Sequence, residues 1–294
     1  MQFTDSHCHL DDKVFSEQLP QLLEQCQQLT INRIIIPSIS PDNFSEVLAL
    51  TQQYHHKPIK LYACLGIHPW FLKGLNTDHL ELLQQKVAQE HNNIIAIGEI
   101  GLDGAIAKKA GTYGQTTDEN WQHQQYFFDF QLNLAKQQNL PVIVHHRQSH
   151  DKIIPLLKKH QLDKAGIIHG FSGSYQQAKG YIDLGFKLGV GSTITYSRAK
   201  KTINTIKRLP LTSLVLETDA PSMPLSQEIL TNNKMNNIRN IEPLLIPENP
   251  LLGLQVNSPR NIIKVFSALT TIRTESAAEI AFQLEDNIEQ VFFS

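Results

Sequence analysis

Thr4-Asp5-Ser6-His7-Cys8-His9-Leu10-Asp11 places two imidazoles two residues apart near the start of a 294-residue chain. On a β-strand, residues i and i+2 point to the same side, so His7 and His9 converge on one point while Cys8 faces away. That geometry suits a metal ion, although a short His pair alone also fits a hydrogen-bonded core. Support comes from downstream, where further polar residues end apolar runs that read as strands.

From a first strand at about 2–10, strand-like and helix-like segments alternate along the chain. A helical pattern at 16–30 is followed by the apolar strand Arg33–Pro37 and a helix with Ser40 or Asp42 as N-cap. Strand three and its exit run from Lys60 to Pro69, with a helix at 77–91 after them. Strand four is Ile94–Glu99. The Gly-, Ala- and Thr-rich segment 104–118 shows little periodicity and reads as a mobile loop over the site, before a helix at 119–139. Strands five to eight are Pro141–His145, Gly166–His169, Phe186–Gly191 and Leu214–Asp219, with helices at 149–161, 174–184 and 198–208 between them. Eight such units predict an α/β fold, a closed (β/α)8 TIM barrel, as one domain over 1–294. The Pro- and Asn-rich stretch 220–256 breaks the rhythm and reads as a long connection over the barrel mouth. Helices at 259–270 and 274–292 complete the pattern.

Composition narrows the class. Hydrophobic residues make up 41% and charged residues 18%, values of a globular protein. No apolar run reaches the roughly 20 residues needed to span a bilayer, and no secretory leader is visible, so a cytoplasmic, non-membrane protein is expected. Cys8, Cys26 and Cys64 are too few and scattered for a disulfide framework and read as reduced thiols. The net charge of -2 gives no basic footprint for gripping long nucleic acid, so any such contact must be local, at a cleft where cations carry the positive charge.

His7, His9, His68, Glu99, His145, His169 and Asp219 all fall at the C-terminal ends of predicted strands, the face on which barrel enzymes build their sites. Nitrogen and oxygen ligands without thiolate suit Zn²⁺, Mn²⁺ or Mg²⁺, and there are enough for two divalent ions sharing a carboxylate, the usual device for phosphoester hydrolysis. Each residue also has a plainer reading. Glu99 could pair with a Lys at the mouth, Asp219 could cap the Ala220-Pro221 turn, and His68 could merely fix the loop before Pro69. His146 points away from His145 and reads as structural; Glu217 shares a face with Asp219 and could support it. His55, His56, His79, His91, His123, His150 and His160 fall on helices or their ends and are expected at the surface.

Asp5-Ser6-His7-Cys8-His9, Gly66-Ile67-His68-Pro69, Gly98-Glu99-Ile100-Gly101-Leu102-Asp103, Pro141-Val142-Ile143-Val144-His145, His169-Gly170-Phe171-Ser172-Gly173-Ser174 and Leu216-Glu217-Thr218-Asp219-Ala220-Pro221 together resemble the TatD family of metal-dependent hydrolases. Within it they are most similar to the YjjV-type members, with Gly170 where a cysteine is common. The resemblance implies a TIM-barrel deoxyribonuclease with two divalent metal ions. It assigns His7, His9 and Asp219 to one metal, His145 and His169 to the other, and Glu99 to the bridge, with Asp219 also accepting the proton of the attacking water. His68 and Arg147 are assigned to the substrate phosphate, where Arg offers a planar donor fork. The expected partner is DNA, single-stranded or at an end, and a monomer is expected. Asn257-Ser258-Pro259 departs from the family's Asn-Glu-Pro. A carbonyl substrate, such as a misacylated tRNA ester or a lactone, remains the alternative for the same site. A non-catalytic adaptor using the 220–256 loop is the alternative of a different class, disfavoured by the retained ligand set.

Overall fold

The computed structural model describes residues 1–231 and 256–294. Eight parallel strands pair in sequential order: β1 (Phe3–Asp5), β2 (Ile31–Pro37), β3 (Lys60–Leu65), β4 (Ile94–Asp103), β5 (Val142–Arg147), β6 (Gly166–Ile168), β7 (Lys187–Val190) and β8 (Leu214–Leu216). The seam between β8 and β1 is joined just past the strands, where Ser6 N–H donates to Leu216 O at 3.0 Å and Asp219 N–H donates to His7 O at 2.8 Å. The helices follow as α1 (Leu19–Gln28), α2 (Phe44–Gln53), α3 (Thr77–Gln89), α4 (Gly104–Lys108), α5 (Thr117–Gln138), α6 (His150–His160), α7 (Tyr175–Ile182), α8 (Lys200–Arg208), α9 (Gln227–Thr231), α10 (Ile262–Ile272) and α11 (Ala277–Phe292). This is the expected TIM barrel.

Alternation along the strands sorts the core into two layers. Ile35, Cys64, Ala96, Ile143, Ile167 and Val215 meet in the barrel interior, and Ile288, Val291 and Phe292 of α11 pack against them. Their neighbours Ile34, Ile36, Ala63, Ile97 and Val144 belong to the larger cluster between strands and helices. Capping is local and legible: Thr116 with Glu119, Ser174 with Gln177 and Ser276 with Glu279 form reciprocal capping boxes at α5, α7 and α11.

Two expectations change, and a third is only partly covered. Segment 104–118 is not a loop: α4 starts at once after β4, with Asp103 as its N-cap, and a 3-10 turn at Ala110–Tyr113 leads to α5. Five residues are too few to display a helical period, which is why the sequence pattern looks structureless. His7 and His9 lie beyond β1 rather than in it, because β1 ends at Asp5. Their alternation survives because the segment stays extended: Ser6 N–H bonds to β8, Cys8 N–H to Ile35 O of β2 at 3.1 Å, and His9 N–H to Ala220 O at 2.8 Å. The connection 220–256 is only partly described; it contains α9, and residues 232–255 lie outside the described residues.

Candidate metal centre

β4 carries the carboxylate on which the site converges. Glu99 sits at the register irregularity between Ile97 and Ile100, 2% exposed, and both its oxygens face imidazoles. Oε2 lies 3.2 Å from His7 Nε2 and 3.4 Å from His9 Nε2. Oε1 lies 3.1 Å from His145 Nδ1, 3.1 Å from His169 Nε2 and 3.3 Å from His68 Nε2. Asp219 Oδ1 completes one side, 3.4 Å from His7 Nε2 and 3.6 Å from His9 Nε2. Asp219 adopts a left-handed backbone (φ 56°), a conformation costing about 1–3 kcal/mol in a non-glycine residue and held here by its bond to His7 O.

The second nitrogen of each ring shows which atom can act as a ligand. His145 Nε2 is 3.1 Å from Asp103 Oδ2, a carboxylate that can only accept, so Nε2 carries the proton and Nδ1 offers a lone pair towards Glu99. Gly101 permits this approach of β4 to β5: a Cβ there would lie 2.1 Å from His145 O. His169 Nδ1 lies 3.6 Å from Glu217 Oε1, leaving Nε2 for the centre. Glu217, fully buried, also accepts the Gly170 N–H. His68 differs. Its Nδ1 accepts the Trp70 N–H at 3.1 Å, so Nε2 is a protonated donor aimed at Glu99 Oε1. This tautomer argues against His68 as a ligand, although His68, Glu99 and His145 are close enough to group around one ion.

Charge follows from the same contacts. Burial opposes ionisation of Glu99, but the imidazoles around it, His68, His169 and His7 foremost, hold it well below the carboxylate range. Burial likewise opposes protonation of His9, yet the Glu99 hydrogen bond and charge push it up to about 9. His169 is raised against burial by Glu99 and Glu217, and His145 against burial by Asp103 and Glu99. Burial lowers His68 to about 4, and burial with the His169 charge lowers His7 well below the usual range. Burial raises Asp219 to about 6. Behind the centre, burial raises Asp5 to about 8, although Asp5 accepts from Thr218 N at 2.9 Å and Thr218 Oγ1 at 2.5 Å.

The donor set fits divalent cations. His7 Nε2 and His9 Nε2 stand 3.2 Å apart, and one proton between two acceptors satisfies a single contact. The Nδ1 atoms of both rings are buried without partners. A cation meeting both lone pairs and two carboxylate oxygens resolves what a proton cannot.

Arg147 ends β5 with its side chain exposed, beside Asp103 in register. Asp103 is the residue the strand reading missed: it binds His145, caps α4 and accepts the Trp70 indole N–H at 2.6 Å. Its signal was present, four residues past Glu99 on an alternation running through Gly101. His146 is buried with neither ring nitrogen partnered, 4.5 Å from the His150 ring. The surface expectation fails for His160, which is buried with Nε2 2.8 Å from Asp129 Oδ1, and for half-buried His150, whose Nδ1 meets Tyr181 Oη at 3.0 Å. Helix periodicity could not show either partner, since each comes from another helix. Asn257, which opens the motif that departs from the family at Ser258, donates to Thr218 O at 2.8 Å and Met223 O at 2.9 Å, tying down the exit of β8.

A parallel eight-stranded barrel with a histidine–carboxylate centre at the carboxyl ends of its strands defines a metal-dependent hydrolase. The chain belongs to the TatD family: the family described as TatD related DNase matches residues 4–293. The uncharacterized metal-dependent hydrolase YjjV of Escherichia coli (strain K12) is 41% identical over 291 residues, 99% of this chain and 98% of that one. Its crystal structure superposes with a TM-score of 0.81 at 40% identity, covering 99% of this chain and 98% of that chain. An uncharacterized metal-dependent hydrolase of Haemophilus influenzae is 38% identical over 296 residues, covering 99% and 100%. The human deoxyribonuclease TATDN3 is 29% identical over 233 residues, 76% of this chain and 80% of that one. Among the described residues, no helix is long and apolar enough to cross a membrane.

Proposed function

We propose that the chain is a two-metal deoxyribonuclease that cleaves phosphodiester bonds of DNA from an exposed end, single-stranded or frayed. The observation that carries this reading is the two-sided environment of Glu99, with His7 and His9 at one oxygen and His145 and His169 at the other. His7, His9 and Asp219 would hold one divalent cation, His145 and His169 the second, and Glu99 would bridge them. Two cations bound there supply water activation and neutralise the charge that builds on the phosphoryl oxygens.

The chain's own groups account for the rest. Asp219 is the more open carboxylate, its side chain 15% exposed against 2% for Glu99, which supports it as the acceptor of the attacking water's proton. Once Glu99 is engaged by cations, His68 Nε2–H would be free to turn from it and, with the Arg147 guanidinium, donate to the non-bridging phosphate oxygens. Asp103 and Glu217 fix the rings of His145 and His169. The absence of a basic footprint suits short engagement at an end better than sliding along duplex. The deoxyribonuclease TATDN3, at 29% identity, supports the same substrate class.

End-labelled single-stranded DNA tests the proposal, using metal-stripped protein resupplied with Mg²⁺, Mn²⁺ or Zn²⁺. Ladder-like shortening only with metal, reduced at least about 10²-fold by Glu99→Gln, is expected. Metal-independent cleavage refutes it. Inert DNA together with metal-dependent hydrolysis of a carboxylic ester or lactone transfers the site to carbonyl chemistry.

A further inference from the structure

The turn after β3 holds two aromatic side chains that the chemistry above leaves unused. Trp70 is 48% exposed and Phe71 41% exposed, at the mouth of the barrel. Their ring centroids lie 5.6 Å and 5.9 Å from that of His68, and Trp70 lies 6.3 Å from His145, so a single nucleotide reaches from one to the other. Leaving this much apolar surface in water at successive positions costs free energy that a ligand covering it recovers.

Trp70 is also not a freely rotating side chain. Its indole N–H is fixed at 2.6 Å by Asp103 Oδ2, the same oxygen that meets His145 Nε2. Asp103 is in turn fixed through Oδ1, which accepts from Ala105 N at 2.7 Å and Ile106 N at 2.9 Å. The edge of the indole is anchored while much of the ring stays exposed. A plane ordered beforehand loses little entropy when a second ring lies on it.

We propose that Trp70, with Phe71 beside it, forms a base-stacking subsite for the nucleotide next to the scissile phosphate. This rests on the nuclease reading and extends it to the recognised group. The occupant is a nucleobase rather than another phosphate: the exposed surface of Trp70 and Phe71 is aromatic, and a net charge of -2 gives the chain no overall basic footprint for a nucleic-acid backbone. Stacking is tolerant of sequence because every base has a π-face, so the subsite selects for the presence of a base and not for its identity.

Two measurements on the metal-loaded protein separate this proposal from the nuclease reading. The chain has two tryptophans, Trp70 and Trp121, so Trp121→Phe leaves Trp70 as the only indole fluorophore. Titration with dAMP is expected to quench it saturably, and deoxyribose 5-phosphate, lacking the base, is not. In the cleavage assay, Trp70→Leu and an abasic residue beside the terminal phosphodiester are each expected to raise KM about tenfold, and the two together no more than either alone. Trp70→Phe, which keeps a ring but loses the anchoring N–H, recovers part of the loss. Cleavage without dAMP quenching, or with additive effects of Trp70→Leu and base removal, overturns the subsite and leaves the nuclease standing. Quenching by dAMP without cleavage of any strand keeps the subsite and overturns the nuclease. Equal quenching by deoxyribose 5-phosphate overturns the stacking assignment in either case.

Discussion

Replacing Gly189 by alanine is expected to damage the metal centre without touching any of its ligands. A Cβ at this position would lie 2.0 Å from Glu217 Oε2, 2.5 Å from its Cδ and 2.9 Å from Oε1. Contacts that short cannot persist, and Glu217 is fully buried, so its carboxylate has no solvent to rotate into. Displacing it breaks the bond from Gly170 N–H and removes the group facing His169 Nδ1. Overpacking of a filled interior costs about 1–3 kcal/mol. A lost hydrogen bond to a charged group costs about 1.5–3 kcal/mol. Together these give roughly 2.5–6 kcal/mol of destabilisation, and removing the partner of His169, a proposed ligand, is expected to weaken metal affinity about 10–100-fold. Urea unfolding of the metal-free protein reads the first quantity, and calorimetric titration with Mn²⁺ or Zn²⁺ the second. The cause is checked by a cycle with Glu217→Ser, which vacates the space: Gly189→Ala then costs less than about 1 kcal/mol on that background. Unchanged stability and affinity in Gly189→Ala, or the same penalty on the Glu217→Ser background, refutes the steric argument.

Asp103→Asn cannot satisfy its four donors, because its amide nitrogen must face either His145 and Trp70 or the N–H groups of Ala105 and Ile106. A drop in metal affinity of about 10–100-fold by titration is expected, and an unaltered dissociation constant contradicts the assigned His145 tautomer. His146 gives a pH dependence of stability: burial, then the charges of His150 and His145, holds its folded-state pKa well below the ordinary 6.5. Below about pH 6.5 the unfolded chain therefore binds a proton that the folded chain refuses, so this contribution is intact at neutral pH and is lost as pH falls. Unfolding free energies between pH 7 and 5 are expected to fall less steeply in His146→Phe than in the unmodified protein, and parallel slopes contradict the reading.

The barrel was legible because polar residues interrupt apolar runs at a regular place. Ile94-Ile95-Ala96-Ile97 followed by Glu99, or Val142-Ile143-Val144 followed by His145, has one economical explanation: strands buried on both faces whose ends carry the chemistry. The convergence of His7, His9, Glu99, His145, His169 and Asp219 follows once the strands close. What escaped depends on partners from other elements. Asp103 is hidden because the sequence pattern ends the strand at Glu99, four residues early, and its role appears only when Trp70 and His145 arrive from the neighbouring exits. His68 looks like any other mouth histidine until Trp70 N–H fixes its tautomer. His160 reads as exposed until Asp129 of α5 is set against it, and no periodicity within α6 contains that information.

The seam of the barrel also bears on how the chain reaches its folded state. Thr4 of β1 is hydrogen-bonded to Glu285 of α11, a separation of 281 residues, and Arg33 of β2 reaches Glu285 and Glu289 of the same helix. Contacts so distant along the chain close a long loop, whose entropy must be lost before they return any energy, and such topologies form slowly. During synthesis the first strand leaves the ribosome with β2 to pair with, while its other neighbour and the helix beneath it are not yet made. The rings of His7 and His9 meet Asp219 only after β8 has been placed, so a cation held by these three residues as proposed would report completion of the ring rather than nucleate it.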